Sequence, residues 1–487
     1  MDGSRTFRNH PVMILDNIII AFFTAAVFFL MIGSGGASIL EALLPVILIV
    51  GITAAISAII WRKTLYTFDD TELTIRRMTL ARTEKHIQYT RLASVGVTRS
   101  IVNRVFGTTC LTFNVNSSVN AQSSEAKLVL KKDVADALRD ELNRKIFCKD
   151  MSMEADSSVP TMIHVSNADV VLNSFIGQPT AQALFGLAMT AYAVFTLVTD
   201  RQGAFITAFI ILLLGEVVPI ISQTLRYFNY RIYRVDDTIT VEGGMLSRTR
   251  MSFQVSRINS VRIREPLIAR IIGRAVLEVE VVGLAIENDK AVPILCPLKS
   301  RAEVRDLMFR LVPEMVFDVD GTKQPRSALV PMLLKDSIAT VVCIIIAAAA
   351  MLSAGSLSDE FGSDAADFAI RIITIICAVV AAAFFIHTML AQRNRSYEMG
   401  GESFMLVYGG YDRVEEYMLY DKVQYTSLDS GLVARRFGLS RCSFFMMSSV
   451  GMRAIRSGYF PSADLESIPA EVLDRIMDGR YDYRKYS

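Results

Sequence analysis

Hydrophobic and polar positions along this chain obey two different patterns that alternate three times. Long apolar runs come in pairs: roughly Met13 to Ile32 and Leu40 to Ile60, then Ala181 to Val198 and Ala204 to Ile221, then Ile338 to Ser353 and Phe368 to Leu390. Each run is close to the ~20 residues that a helix needs to cross a ~30 Å hydrocarbon core. The connections inside the pairs are brief: "GSGGAS", "TDRQG" and "AGSLSDEFGSDAAD". The pattern therefore predicts three helical hairpins and six membrane spans. The lead "MDGSRTFRNH" has the basic character of a signal peptide. The second run follows without a small-residue cleavage site, however, so a retained hairpin is expected.

After each pair the period changes to two, with β-branched and aromatic residues, as in "ELTIRRMTLARTEKHIQY", "RIYRVDDTITVEGGMLSRTRMSFQV" and "SYEMGGESFMLVYGG". Short strands broken by "DD", "GG" and "NSS" predict an antiparallel sandwich or small barrel. Each such module closes with a helix: "DVADALRDELNRKI" with Asp133 as its N-cap, "SRAEVRDLMFRLV" from Ser300, and "SADLESIPAEVLDRIMDG" interrupted at Pro469. The expected class is a membrane protein of six transmembrane α-helices, each hairpin followed by a cytoplasmic α+β module. The expected boundaries are hairpin 1 at 1–62, module 1 at 63–148, linker and hairpin 2 at 149–225, module 2 at 226–316, linker and hairpin 3 at 317–392, and module 3 at 393–487.

The modules are copies of one another. "NRVFG", "ARIIG" and "ARRFG" place Gly273 166 residues after Gly107, and Gly438 165 residues after Gly273. Three residues before each glycine stand Arg104, Arg270 and Arg435; six before stand Ile101, Leu267 and Leu432; sixteen before stand Arg91, Arg257 and Lys422. Tyr66, Tyr233 and Tyr397 open the copies. A fixed period of this length makes each copy a domain-sized unit, not a solenoid repeat. The pentapeptide is read as the end of one or two helical turns. Its glycine sits just past the end at positive φ, and its arginine lies in the last turn, where the carbonyl end of the helix favours a cation.

Basic residues fix an expected orientation. Arg5 and Arg8, Arg62 and Lys63, Arg226 and Arg231, and Arg393 and Arg395 flank the hairpin bases. The tips hold only Arg201, and the third tip is acidic, with Asp359, Glu360, Asp364 and Asp367. Lys and Arg near span ends stay on the cytoplasmic side. A multi-pass protein of the cell membrane is expected, with both termini and all three modules in the cytoplasm.

A hairpin followed by "RINSVRIREPLIARIIGRAVLEVEV" resembles the bacterial PH-domain membrane proteins of the YdbT-like type. The motif is weaker in "RLASVGVTRSIVNRVFGTTCLTFNV" and most divergent in "KVQYTSLDSGLVARRFGLSRCSFFM". The resemblance covers nearly the whole chain. It implies a PH-like seven-stranded barrel capped by a C-terminal helix, and a partner that is a shorter, two-span protein with one such module. Eukaryotic PH domains grip phosphoinositides with a basic first hairpin, and that clamp is not reproduced in all three copies.

Composition narrows the chemistry. Of 487 residues 52% are hydrophobic, and the net charge is only +2. That excludes a nucleic-acid binder relying on bulk positive charge. Six scattered cysteines and four histidines (His10, His86, His164, His387) show no metal-ligand or disulfide spacing. No nucleophile elbow, phosphate loop or metalloprotease motif occurs, so neither enzymatic activity nor a cofactor or metal is expected. Asp69-Asp70 and Asp236-Asp237 become Gly400-Gly401 in the third copy and read as turns. Candidates for contact with anionic lipid headgroups are Arg76, Arg77, Arg82 and Lys85 in the first copy and Arg248, Arg250, Arg262 and Arg264 in the second. Glu216 in "LLLGEVVPI", beside Gly215 and Pro219, is the candidate intramembrane site. The expected function is a non-catalytic membrane scaffold, with a transport or lipid-handling role around Glu216 as the alternative.

Overall fold

The structure is a computed structural model describing residues 5–33, 39–79, 82–89, 92–115, 126–147, 163–198, 202–281, 294–315, 317, 321–353, 363–448 and 451–478. The loop "NSS", Arg91, Cys148, Arg201, Asp359 and Glu360 lie outside them.

Each copy begins with an element that the period-two pattern did not expose. A strand of two or three residues precedes the apolar helices and pairs with the first strand after them. In the first copy this is β1 (Arg5–Phe7), followed by helices α1 (Val12–Gly33) and α2 (Ile39–Lys63), which pack on each other. Then come β2 (Thr64–Phe68), β3 (Glu72–Met78), β4 (Arg82–Gln88), β5 (Leu92–Arg99), α3 (Ile101–Val105), β6 (Thr108–Val115), β7 (Ala126–Lys131) and α4 (Lys132–Phe147). Phe7 lies opposite Tyr66, so β1-β2-β3-β4 form one antiparallel sheet.

The second copy repeats this with β8 (Ile163–His164), α5 (Asn167–Ile176), α6 (Thr180–Val198), α7 (Gln202–Leu212), a π-helical turn (Leu213–Val217) and α8 (Val218–Arg226). Its module holds β9 (Arg231–Val235), β10 (Thr238–Gly243), β11 (Arg248–Gln254), β12 (Ile258–Glu265), α9 (Leu267–Ile271), β13 (Arg274–Val281), β14 (Ile294–Ser300) and α10 (Arg301–Leu311). The third has β15 (Thr322–Lys323), α11 (Leu329–Leu352), α12 (Ser363–Asn394), β16 (Ser396–Met399), β17 (Ser403–Tyr408) and β18 (Arg413–Leu419). It continues through β19 (Val423–Asp429), α13 (Leu432–Arg436), β20 (Leu439–Ser448), β21 (Gly451–Arg456), β22 (Phe460–Pro461) and α14 (Ser462–Met477).

Among the described residues, five helices are long and apolar enough to cross a membrane: Leu43–Lys63, Thr180–Val198, Phe205–Arg226, Arg326–Leu352 and Ile370–Asn394. The run Val12–Ala25 within α1 is a shorter apolar helix. Side chains such as Phe23, Leu187, Val198, Ile344 and Val379 stand largely exposed along these helices, as lipid-facing positions do.

By internal contacts the chain divides into two units. One contains residues 1–259, 268–312 and 448–451; the other contains 260–267, 313–447 and 452–487. In the first unit the core of module 1 lies between its two sheets and α4, around Leu73, Leu92, Leu111, Phe113 and Leu128, all fully buried. In the second, Phe404, Phe444, Tyr420 and Phe460 pack with Leu465, Ile468 and Val472 of α14. Those three helix residues explain why α14 runs unbroken through Pro469, where a break was expected: burial holds both halves on the same core. The expected N-cap Asp133 is instead the second residue of α4. Ser300 does cap α10, its hydroxyl accepting the Glu303 N–H at 3.3 Å.

Register corrects one alignment. Tyr66 faces Ile75, Ile232 faces Val241, and Tyr397 faces Leu406. The buried core position equivalent to Tyr66 and Tyr397 is therefore Ile232, fully buried, and not Tyr233. A one-residue shift puts Tyr233 on the opposite face, where its hydroxyl donates to Glu242 at 2.6 Å.

Among the described residues the two sheets of a module are not continued into each other by hydrogen bonds; the continuation is into the neighbouring copy. In the first unit one seven-stranded sheet runs β7-β6-β5-β11-β10-β9-β8, crossing from module 1 to module 2. Its joint pairs Arg248 with Arg99, Thr249 with Thr98 and Arg250 with Val97. In the second unit β12 joins β18 in the same way, with Arg413 opposite Glu265, Val414 opposite Arg264 and Glu415 opposite Ile263.

Buried amides bolt the modules to the segments leading into the apolar helices. Asn9 Oδ1 accepts the Val129 N–H of β7 at 2.7 Å, while its own carbonyl accepts the Trp61 indole N–H at 2.6 Å. Asn173 Oδ1 accepts the Leu298 N–H at 3.3 Å, and Gln324 Oε1 accepts the Tyr459 N–H at 2.9 Å. All three amides are at least 94% buried.

The β12–β18 joint carries a buried charge cluster. Glu416 accepts from Ser260 at 2.6 Å, Tyr408 at 2.5 Å and Arg453 at 2.9 Å. Burial alone would push its carboxyl up; Arg453, Arg262 and these hydrogen bonds hold it below the usual carboxylate range. A depressed carboxylate stabilises the fold above its unfolded pKa, and that contribution is lost as pH falls through the folded value. Two outcomes follow. Asn9→Leu leaves the Val129 N–H buried without its acceptor and costs about 1–3 kcal/mol, read as a lower unfolding temperature in lipid nanodiscs, whereas Asn9→Asp, which keeps an acceptor, costs less. Acid unfolding of the wild type steepens below the ordinary carboxylate range, and Glu416→Gln flattens that limb.

Candidate functional site

The repeated pentapeptide forms the same object three times. Ser100 caps α3 by accepting the Asn103 N–H at 3.1 Å, and five helical residues follow. Gly107, Gly273 and Gly438 then turn left-handed at φ of 63°, 68° and 64°, a region in which only glycine avoids a Cβ penalty. In each copy the glycine N–H donates back to the arginine carbonyl three residues earlier, at 3.4, 3.1 and 3.0 Å. Each glycine carbonyl accepts the N–H of the first residue of the closing helix: Lys132 at 3.0 Å, Arg301 at 3.1 Å and Ser462 at 3.0 Å. The motif thus ties the short helix to the start of the closing helix.

Within the motif, the small residues are buried and the bulky ones are not. Asn103, Ala269 and Ala434 are almost wholly buried. Val105, Phe106, Ile271, Ile272 and Phe437 are exposed, Val105 and Ile271 by about three quarters. In the first unit α3 packs against α1, and in the second α13 packs against α11, with Ala434 beside Ala328. The short helix α13, with exposed Phe437 after it, therefore stands at the entry to α11, and α3, with exposed Val105 and Phe106 at its end, lies against α1.

Arg104 does more than sit in a last turn. Its guanidinium reaches module 2 and donates to the carbonyls of Met245 and Leu246, both at 3.1 Å. That turn joins β10 to β11 and is itself bonded to the end of α8 through Met245 N to Leu225 O at 2.8 Å. Gly244 there has φ of 112°, and a Cβ would stand 1.9 Å from the Ser247 carbonyl oxygen. Its counterpart Gly409 has the same 1.9 Å limit against Asp412. In the second unit this turn is held to α12 by Asn394 donating to Gly409 and Gly410, and by Tyr411 donating to Ala383. Arg270 is half-buried and Arg435 exposed.

The basic candidates separate. Arg76, Arg77, Arg82 and Lys85 are exposed on the β3–β4 hairpin, with Arg76 paired to Glu84 at 2.6 Å. Arg248 and Arg250 lie in the β5–β11 joint, Arg250 also paired to Glu242 at 3.1 Å. Arg262 and Arg264 lie opposite Glu416 and Val414 in the β12–β18 joint. Four thus lie on one hairpin and four in the two joints.

Glu216 lies in the π-helical turn, only 7% exposed. Pro219 lacks an N–H and crowds the carbonyl of Gly215, and a widened turn relieves that crowding. The carboxyl packs on Gly186 of α6, where an added Cβ would stand 2.7 Å from Glu216 Cδ. Its Oε1 has no hydrogen-bond partner among the described residues. Sequence reasoning identified the acid but not Gly186, whose role only the helix pairing discloses. The bolts Asn9, Asn173 and Gln324 were likewise missed; their signal is an amide upstream of each apolar run.

Because nothing lies within 4 Å of a Cβ built on Gly438, Gly438→Ala tests backbone strain alone. It is expected to cost about 1–2 kcal/mol, with Gly438→Asn recovering part, measured by thermal unfolding.

Comparison with known proteins agrees with this architecture. The family described as bacterial PH domain matches residues 19–146, 182–312 and 334–476. The UPF0699 transmembrane protein YdbT of Bacillus subtilis (strain 168) is 20% identical over 326 residues, 60% of this chain and 64% of that protein's length. No solved structure matches significantly. A chain matched over most of its length by three copies of one domain, each match taking in apolar helices and the module after them, belongs to the bacterial PH-domain family as a YdbT-like membrane protein.

Proposed function

We propose that this chain is a non-catalytic scaffold of the cell membrane. Six spans in three hairpins hold three PH-like modules against the cytoplasmic leaflet, with both termini cytoplasmic. The observation that carries this is the motif helix, which presents bulky apolar residues beside the entry to the apolar helices. Exposed Val105 and Phe106 beside exposed Met245 and Leu246 form an apolar surface at that level, suited to the interfacial zone of a bilayer. Arg76, Arg77, Arg82 and Lys85 would add attraction to anionic headgroups of about 1 kcal/mol each. The process served is envelope maintenance or protection against membrane-active agents, with a two-span, single-module relative as assembly partner. Unchanged sensitivity to such agents after gene deletion would contradict that role.

A second reading has its own observation: Glu216, buried against Gly186 in a π-helical turn, with one oxygen lacking a hydrogen-bond partner among the described residues. Such turns occur at functional sites, and an intramembrane acid marks a pathway by default. A scaffold tolerates Glu216→Gln with full complementation of a deletion strain; a proton- or ion-coupled lipid or solute carrier loses activity.

Fluorophores placed by Phe106→Cys and Phe437→Cys in nanodisc-held protein should be quenched by lipid-attached quenchers. One at Asp237→Cys, at the opposite end of β10 from the Gly244 turn, should not. Equal quenching at all three positions would contradict the apposition.

A further inference from the structure

The two joints between copies are the same joint. Arg82, Arg248 and Arg413, which open β4, β11 and β18, repeat at the 166- and 165-residue intervals of the motif glycines. In the first joint Arg248 faces Arg99, eight residues before Gly107. In the second Arg413 faces Glu265, eight residues before Gly273. One complementary pair of strand edges is therefore used twice in one register.

The same pair of edges exists a third time without its match. Among the described residues β4 ends the sheet β1-β2-β3-β4, and β19 ends the sheet β19-β20-β21. Burial follows the pairing. Val97 and Ile263, inside the joints, are 8% and 1% exposed, whereas their counterpart Leu428 on β19 is 41% exposed, with Tyr425 at 48%. On the other edge, β11 and β18 are largely covered, while every residue of β4 except Ile87 is exposed.

We propose that β19 of one copy of this chain pairs with β4 of a second copy, in the register of the internal joints. Arg82 then lies opposite Ser430, Thr83 opposite Asp429, Glu84 opposite Leu428 and Lys85 opposite Ser427. Lys85 and Asp429 share a face one step apart, within reach of a diagonal ion pair. The contact is head-to-tail, so it builds a ring or a growing row in the membrane plane. The charges on β4 bar indiscriminate edge pairing, as do Arg413, Glu415 and Glu416 on β18, which are met by a matching strand. This deepens the scaffold reading by naming the occupant of its free edges.

Two differently tagged full-length chains, one carrying Glu84→Cys and the other Leu428→Cys, are co-expressed and oxidised in native membranes. A crosslinked species bearing both tags is expected. Glu84→Cys with Gln424→Cys, four residues out of register, should give none. Val97→Cys with Arg250→Cys in a single chain reports the internal joint. If that internal pair closes while the two-chain pair does not, the head-to-tail assembly is overturned and the scaffold reading stands. Closure of Glu84→Cys and Leu428→Cys within one diluted chain would also overturn it. Ser427→Pro, in the edge strand β19, should reduce the particle mass in nanodiscs to a single chain; a wild type already at that mass contradicts the proposal.

Discussion

A β-strand at the edge of a sheet leaves a row of backbone N–H and C=O groups to be satisfied, and this chain resolves that constraint through its neighbours. The edge of β5 is met by β11, and that of β12 by β18, in one shared register. The edge of β7 is met by Asn9 and His10, whose side-chain carbonyl and backbone N–H take the N–H and C=O of Val129. Even the short strands β1, β8 and β15 extend the sheet formed after the apolar helices. Satisfying edges is thus what ties module to module and module to membrane segment.

The motif glycine stands at the crossing of these ties. Its left-handed backbone lets one residue end the short helix, hand its carbonyl to the closing helix and start the next strand. In the first copy the arginine three residues earlier, Arg104, carries the tie outward to the turn at Met245 and Leu246. A helix of five residues has little stability of its own; its place is fixed by Ser100, by the buried Asn103 and by α1. That leaves Val105 and Phe106 free to face outward.

Much of this was legible in the amino-acid sequence. The apolar runs, the period-two modules, the 166- and 165-residue spacing and the positive φ of the motif glycines follow from local rules. What was not legible depends on partners distant in sequence. Tyr233 was aligned with Tyr66 by residue type, whereas pairing with Val241 gives the core position to Ile232. Pro469 reads as a helix breaker until Leu465, Ile468 and Val472 are seen on one core. Arg262 and Arg264 read as candidates for headgroup contact, and the strand β18 beside them is not visible in the amino-acid sequence. Glu216 stood out alone, but the glycine that makes room for it belongs to another helix.

The account rests on strand pairing between copies, and hydrogen exchange of the full chain in lipid nanodiscs tests it most directly. Amides of Val95 to Arg99 and of Arg248 to Arg250, at the first joint, should exchange as slowly as those of the central strand β6. Exchange there as fast as at the Asp236–Asp237 turn would mean that the copies hang side by side without a shared sheet, and would contradict the account.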